Sequence, residues 1–428
     1  MRPSILGSLR FALPVVVALT TTGCAEQTAL PECDADNGGI QLPDGFCAFV
    51  VADGLGAARH LDVAPNGDIF VAIRNQPNAP GGIIALRDTD GDGRADLEER
   101  FGEDGGTSIQ LRGDYLYFGR DNAIVRYPMT PGELVPDGPA EVIATLPDQR
   151  SHASKGFAFD GEGGMYVNVG APSNACQSED REPGVPGMDP CPLLENHGGV
   201  WKFDADRPGQ TQASGTRYAT GMRQNFAMAW HPFAAGLYLV QHGRDQLNTL
   251  WEGFTEEQNA ELPSEEFMRV EEGSNFGWPY CYHDWQQDKR VLMPEYGGDG
   301  MEVGRCGEFD LPLIGFPGHW APNALMFYEG EQFPERYRGG AFIVFHGSWN
   351  RAPLPQGGFT VVFVPFDGDA PTMGDYEIFA DGFAGQTPLM DRDDAPYRPS
   401  GIAVGPDGSV YISNDRTGRI WRVMYTGA

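Results

Sequence analysis

The chain has 428 residues, with 58 glycines, 34 prolines, 41% hydrophobic residues and a formal net charge of −30. This length exceeds most single cores, yet a propeller or barrel can hold it in one domain, and the glycine and proline content argues against long helices. The acidity argues against nucleic acid as a partner, because a phosphate backbone would be repelled.

Residues 1–23 read as a signal peptide: a basic start with Arg2 and Arg10, then an apolar run from Phe11 to Leu19 too short to anchor as a membrane helix. Thr21-Thr22-Gly23-Cys24 resembles a bacterial lipoprotein cleavage box, with Cys24 lipidated and that lipid the sole membrane contact; ordinary secretion to the periplasm or medium is the alternative. Residues 24–44 are expected to be a linker and 45–428 the folded domain. Six further cysteines fall as neighbours, Cys33 with Cys47, Cys176 with Cys191 and Cys281 with Cys306. In an exported chain these are expected to be disulfides, with the local pairing preferred among several. The absence of CxxC and CxxCH removes zinc-ribbon, thioredoxin-like and covalent c-haem readings.

From residue 60 one phrase recurs: an alternating apolar strand, a Gly/Asp/Asn turn, and a second strand carrying an aromatic and Val. Its copies are 60–75, 108–128, 156–170, 225–243, 339–351 and 400–415, and several are followed by a further strand, as at 81–88, 199–205, 358–366 and 418–425. Period-2 patterning with Asn-Gly and Asp-Gly turns predicts antiparallel hairpins, and six returns of the same phrase predict a closed ring. The expected fold is all-β, a six-bladed β-propeller with long inter-strand loops at one end. Two β-sandwiches would give the phrase no reason to return six times.

Just after the first copy, Asp88, Asp90, Asp92, Asp96 and Glu99 take positions 1, 3, 5, 9 and 12 of a loop with Gly93 at position 6. That spacing predicts a structural Ca²⁺ site, with Arg94 contributing its backbone carbonyl. Farther on, 171–198 and 284–338 depart from the repeat and are expected to be loops walling one end of the ring.

The segments SHASKGFAFD (151–160), ATGMRQNFAMAWHP (219–232), GSNFGWPYCY (273–282), FHGSWNR (345–351) and YRPSGIAVGPDG (397–408) resemble, in order and spacing, the soluble glucose/sorbosone dehydrogenases that use pyrroloquinoline quinone (PQQ). The resemblance runs from about 45 to 425. It implies an exported quinoprotein oxidoreductase that oxidises an aldose-like sugar at an alcohol or hemiacetal carbon with PQQ and Ca²⁺ and passes electrons to an external acceptor.

By the same resemblance, His152 is the general base and Arg223 lies against the quinone. Gln224, Trp349, Asn350, Arg351 and Arg398 contact the cofactor, and the Gly243 and Arg244 carbonyls hold the catalytic Ca²⁺. An imidazole titrates near working pH, and a guanidinium fork suits a quinone oxygen gaining charge. His319 is a candidate for the sugar pocket. The chain departs from the glucose-oxidising pattern after Gly170, where Ala171 replaces an Asp that orients the histidine; Asn168 or Asn174 is the expected substitute. The competing class is a non-catalytic propeller that binds a carbohydrate or protein. A metal-dependent lactonase propeller would need acidic metal ligands converging from several blades, and no such set stands out.

Overall fold

The computed structural model describes Met1, Pro3, residues 30–372 and residues 376–427. Apart from Met1 and Pro3, the expected signal peptide and Cys24 lie outside the described residues. Six sheets of four antiparallel strands follow one another along the chain, the second joined by Gln210–Thr211 as a fifth, parallel strand. Blade one is Ala58–Val63, Ile69–Ile73, Gly82–Arg87 and Leu97–Phe101, and blade two is Gly106–Arg112, Tyr115–Arg120, Ala123–Pro128 and Glu141–Thr145. Blade three is Phe157–Phe159, Gly164–Val169, Gly199–Asp204 and Thr216–Thr220, and blade four is Ala227–His231, Gly236–Gln241, Glu265–Val270 and Ile314–Phe316. Pro322–Phe327, Ala341–Phe345, Thr360–Val364 and Glu377–Ala380 make blade five. Blade six joins Pro399–Val404, Val410–Asn414 and Ile420–Tyr425 to Phe46–Ala52 from the other end of the chain, which closes the ring.

Each blade is sandwiched between two others, so alternate side chains of one strand face different neighbours. In Ala341–Phe345, Phe342 and Val344 pack toward blade six while Ala341, Ile343 and Phe345 pack toward blade four. Both faces are therefore apolar, and the strand reads as an unbroken hydrophobic run instead of a polar alternation. Every junction between consecutive blades has its own cluster of buried side chains: Leu61 and Tyr411 between blades six and one, Ile83 and Phe118 between one and two, Ile143 and Trp201 between two and three, and Val200 and Leu239 between three and four. Fully burying one such side chain contributes roughly 1.5–3 kcal/mol.

The expected local disulfides Cys33–Cys47, Cys176–Cys191 and Cys281–Cys306 are present. Two expected boundaries change. The compact unit runs from Glu32 to Ala428, so the C-terminal part of the expected linker is folded: Ile40 is buried against blades five and six, and Gln41 bridges to Asp381. The expected loop 284–338 contains the last strand of blade four and the first of blade five, and the copy at 339–351 begins on the second strand. Pro322 at the start of that first strand masks its pattern. By contrast, 171–198 is a true excursion, and it buries Ala171, Cys176 and Cys191 in a separate cluster with Leu247, Trp278 and Tyr282.

Candidate active site

In an antiparallel hairpin the start of the first strand and the end of the second lie at the same end. Six hairpins in a ring thus bring twelve short segments together there, and most of them line a cavity of about 780 Å³. Arg59, Arg74, Arg150, Arg392, Arg398 and Arg416 line it, against Asp121, Asp393 and Asp415. In a chain of charge −30 this is a local reversal of sign. Three imidazoles also line the cavity, His152, His242 and His346, with the rings of Phe226 and Trp349. Trp349 is 44% exposed, which leaves its indole open.

His152 has a φ of 53°, a left-handed conformation that costs a non-glycine residue on the order of 1 kcal/mol and is enriched at functional sites. Gly170 permits it, since a Cβ there would lie 2.6 Å from the His152 carbonyl and 2.0 Å from Gln224 Oε1. His152 Nδ1 lies 2.5 Å from the Ala171 carbonyl oxygen. A carbonyl only accepts, so Nδ1 carries the proton and Nε2 a lone pair. The backbone of Ala171 thus holds the ring in the absence of the expected carboxylate. Asn168 and Asn174 do not: Asn168 donates to Ser154 and Gln224, and Asn174 exchanges hydrogen bonds with the Asp245 backbone. Burial, and then the charge of Arg223, push the imidazole down to about 3, so it is neutral at neutral pH.

Arg223 is at the same end but behind the cavity wall. Its Nη2 donates to Asp245 at 2.7 Å and its Nη1 to the Gly243 carbonyl at 2.6 Å, and Asp245 also accepts from Arg181. Burial opposes the charge on Asp245, but Arg223 and Arg181 outweigh it and hold the carboxyl well below the usual range. Its Ala171–Arg223 backbone bond of 2.8 Å ties this group to the His152 loop. Arg223 does not line the cavity: Nη1 and Nη2 brace Gly243 and Asp245, while Nε is buried without a partner among the described residues. The same contact bears on Ca²⁺. An oxygen facing a guanidinium at 2.6 Å does not also face a divalent cation unless Arg223 withdraws, so the Gly243 carbonyl is engaged by Arg223 in this arrangement. The Arg244 side chain is fully buried in an ion pair with Glu295 at 2.8 Å.

The other expected cofactor contacts divide. Gln224, Trp349 and Arg398 line the cavity, with Gln224 fixed by Ser154 and Asn168. Asn350 and Arg351 turn away from it. Asn350 is bonded to His319 and Asn259, and Arg351 to Glu261, Ala260 and Gly318. His319 is buried there too, its Nε2 2.7 Å from the Asn259 carbonyl, so it supports the wall. On blade one, Asp88, Asp90 and Asp92 bring carboxylate oxygens within 4.8 Å of one another. Asp96 instead accepts from Thr89, Arg94 reaches Asp34 and Val50 with its side chain, and Glu99 sits on the outer strand opposite Ala85.

Four residues of the cavity are not predicted by the sequence patterns: His242, His346, Asp415 and Arg59. His242 Nε2 meets the Pro322 carbonyl at 2.7 Å, and His346 Nε2 meets Asp415 at 2.7 Å, whose other oxygen accepts from Arg59 at 2.9 Å. A signal for the two histidines exists nonetheless, since Gln-His-Gly at 241–243 and Phe-His-Gly at 345–347 occupy the same place in two copies of the repeat.

A curated relative is the pyrroloquinoline quinone-dependent pyranose dehydrogenase of Coprinopsis cinerea, 24% identical over 216 residues, which are 44% of this chain and 28% of that protein. The chain spans less than half the length of the curated relatives it matches. Among solved structures, the calcium structure of a family AA12 carbohydrate-active enzyme from Trichoderma reesei superposes with a TM-score of 0.73 at 19% identity, covering 94% of this chain and all of that one. The holo form of the Coprinopsis cinerea pyranose dehydrogenase PQQ domain gives 0.73 at 16%, covering 92% of this chain and 98% of that domain. These likenesses show the six-bladed fold. The profile of the TrAA12-like family matches residues 40–426, and the chain belongs to that family.

Proposed function

We propose that this protein is an exported quinoprotein oxidoreductase that oxidises an aldose-like sugar with PQQ and passes the electrons to an external acceptor. The observation that carries the reading is a cationic cavity with three neutral imidazoles and an open indole at one end of a strongly acidic ring. A flat tricarboxylate fits that donor set. Arg398, with Nε and Nη2 anchored on the carbonyls of His346 and Gly347, presents the rest of its guanidinium, Arg59 keeps a buried Nε without a partner, and Trp349 offers a face. When bound, PQQ supplies a two-electron acceptor. The residues of this chain would hold it and accept the proton that leaves the sugar hydroxyl on an imidazole nitrogen.

The Ala171 carbonyl lies against His152 Nδ1 where the resemblance expects a carboxylate, which speaks against the alternative of a non-catalytic binding propeller. The disulfides support export to an oxidising compartment. Among the described residues no helix is long and apolar enough to cross a membrane, and lipidation at Cys24 remains part of the proposal. We assign Ca²⁺ a structural role at Asp88, Asp90 and Asp92. Added Ca²⁺ should raise the melting temperature, and Asp90→Asn should abolish that rise. The test of function is titration of purified protein with PQQ followed by dye reduction over a sugar panel. Saturable binding and sugar-dependent reduction are expected, and absence of both would overturn the reading.

A further inference from the structure

We propose that His346, held by Asp415, is the base that takes the proton from the sugar hydroxyl; this rests on the function proposed above and names the residue that performs its proton step. The second strands of blades five and six end at Phe345 and Asn414, so His346 and Asp415 are the first residues beyond two neighbouring strands and meet at the cavity end. The 2.7 Å contact joins Nε2 to a carboxylate oxygen, which fixes the proton on Nε2 and leaves a lone pair on Nδ1. Nδ1 has no protein partner among the described residues, and the ring lines the cavity. The second oxygen of Asp415 accepts from the buried Arg59, so the orienting group is itself oriented.

His152 and His242 lean on neutral carbonyls, which cannot offset the positive charge an imidazole acquires on taking a proton. Asp415 can. The charged groups facing His346 are Asp415, Arg398 and Arg59, with Arg74 acting on Asp415. Burial lowers both His346 and His152, and at His346 the directly bonded Asp415 carboxylate opposes the fall. The carboxylate that the resemblance placed beside His152 is thus supplied beside His346. In the step, the sugar O–H bond breaks and its proton passes to Nδ1. The C–H bond of the same carbon would break with it, PQQ when bound would supply the acceptor for the hydride and its two electrons, and the carbon would become a carbonyl.

The experiment joins nitrogen-15 NMR of histidine-labelled protein without cofactor to kinetics of the PQQ-loaded enzyme. A His346 tautomer with the proton on Nε2, shifted in Asp415→Asn, is expected. His346→Gln should lower turnover about 10² to 10⁴-fold with PQQ affinity retained, and added imidazole should restore part of the activity of His346→Gly. Asp415→Asn should lower turnover about 10 to 100-fold. A proton on Nδ1 of His346, or full turnover in His346→Gln while His152→Gln is inactive, would overturn this assignment alone. A wild-type protein that binds PQQ but oxidises no sugar would overturn the function and this inference together.

Discussion

The two ends of the central channel are built from the same six first strands and differ in chemistry. Toward one end the strands present Leu61, Met228, Leu325 and Ile402, together with Asp62, Asp160 and Glu329 and, among the described residues, no arginine, to a second cavity of about 690 Å³. Toward the other, the residues at the margins of the first strands and of their hairpin partners are Arg59, His152, His242, His346, Arg398 and Asp415. The strand interiors must pack against two neighbouring blades and tolerate little but apolar side chains, whereas the segments flanking them carry no such packing duty. Chemistry therefore gathers at strand margins, at one fixed phase of the repeat.

That contrast can be broken most severely from behind the polar end. Asp245→Ala leaves Arg223, which is buried, and Arg181 without their shared carboxylate, and should cost about 3–5 kcal/mol of stability. Leu61→Ala at the opposite end should cost about 2–4 kcal/mol by opening a void, with PQQ affinity unchanged. Denaturant unfolding with parallel PQQ titration checks both, and a Leu61 variant that loses PQQ would join two ends held here to be separate.

Acid should act mainly on the polar end. His152, His242 and His346 are all pushed down by burial, to about 3, 3 and 4. A histidine with a depressed folded pKa contributes stability above its unfolded value near 6.5 and loses it as pH falls toward the folded value. Glu265 runs the other way: burial raises it to about 8, so its contribution is present at low pH and lost as pH rises from about 4.5 toward 8. Between about pH 5 and 6 the unfolded chain binds a net of about two more protons from these four groups, so stability should fall by roughly 3 kcal/mol per unit of acidification. Thermal melts across that range test this, and a flat profile would mean the cavity imidazoles are hydrated.

The ring itself was legible because a blade imposes two signals at once, period-2 alternation and a Gly/Asp turn, and repeats them six times. Blade five escaped in part, because its first strand opens with Pro322 and follows directly on the last strand of blade four. The site was half legible. His152, Gln224, Trp349 and Arg398 follow from phrases beside strands, but the partners that decide what they do are remote: Ala171 acts through its backbone, which side-chain identity does not report, and Asp415 lies 69 residues from His346. Asn350 and Arg351 show the limit of reading by adjacency. They follow Trp349 directly, yet the chain turns there and hands both to the wall.

The smallest expected effect tests that turn. Arg398 faces the cavity and Arg351 spends its donors on Glu261 and the Ala260 and Gly318 carbonyls. A charge-assisted hydrogen bond to a carboxylate contributes about 1.5–3 kcal/mol, so Arg398→Ala should weaken PQQ binding about 10 to 100-fold. Arg351→Ala should leave PQQ affinity within about twofold and instead lower the melting temperature slightly, since its ion pair is only partly buried. Equal losses of affinity in the two variants would place Arg351 on the cavity after all and would return the whole 349–351 segment to the cofactor.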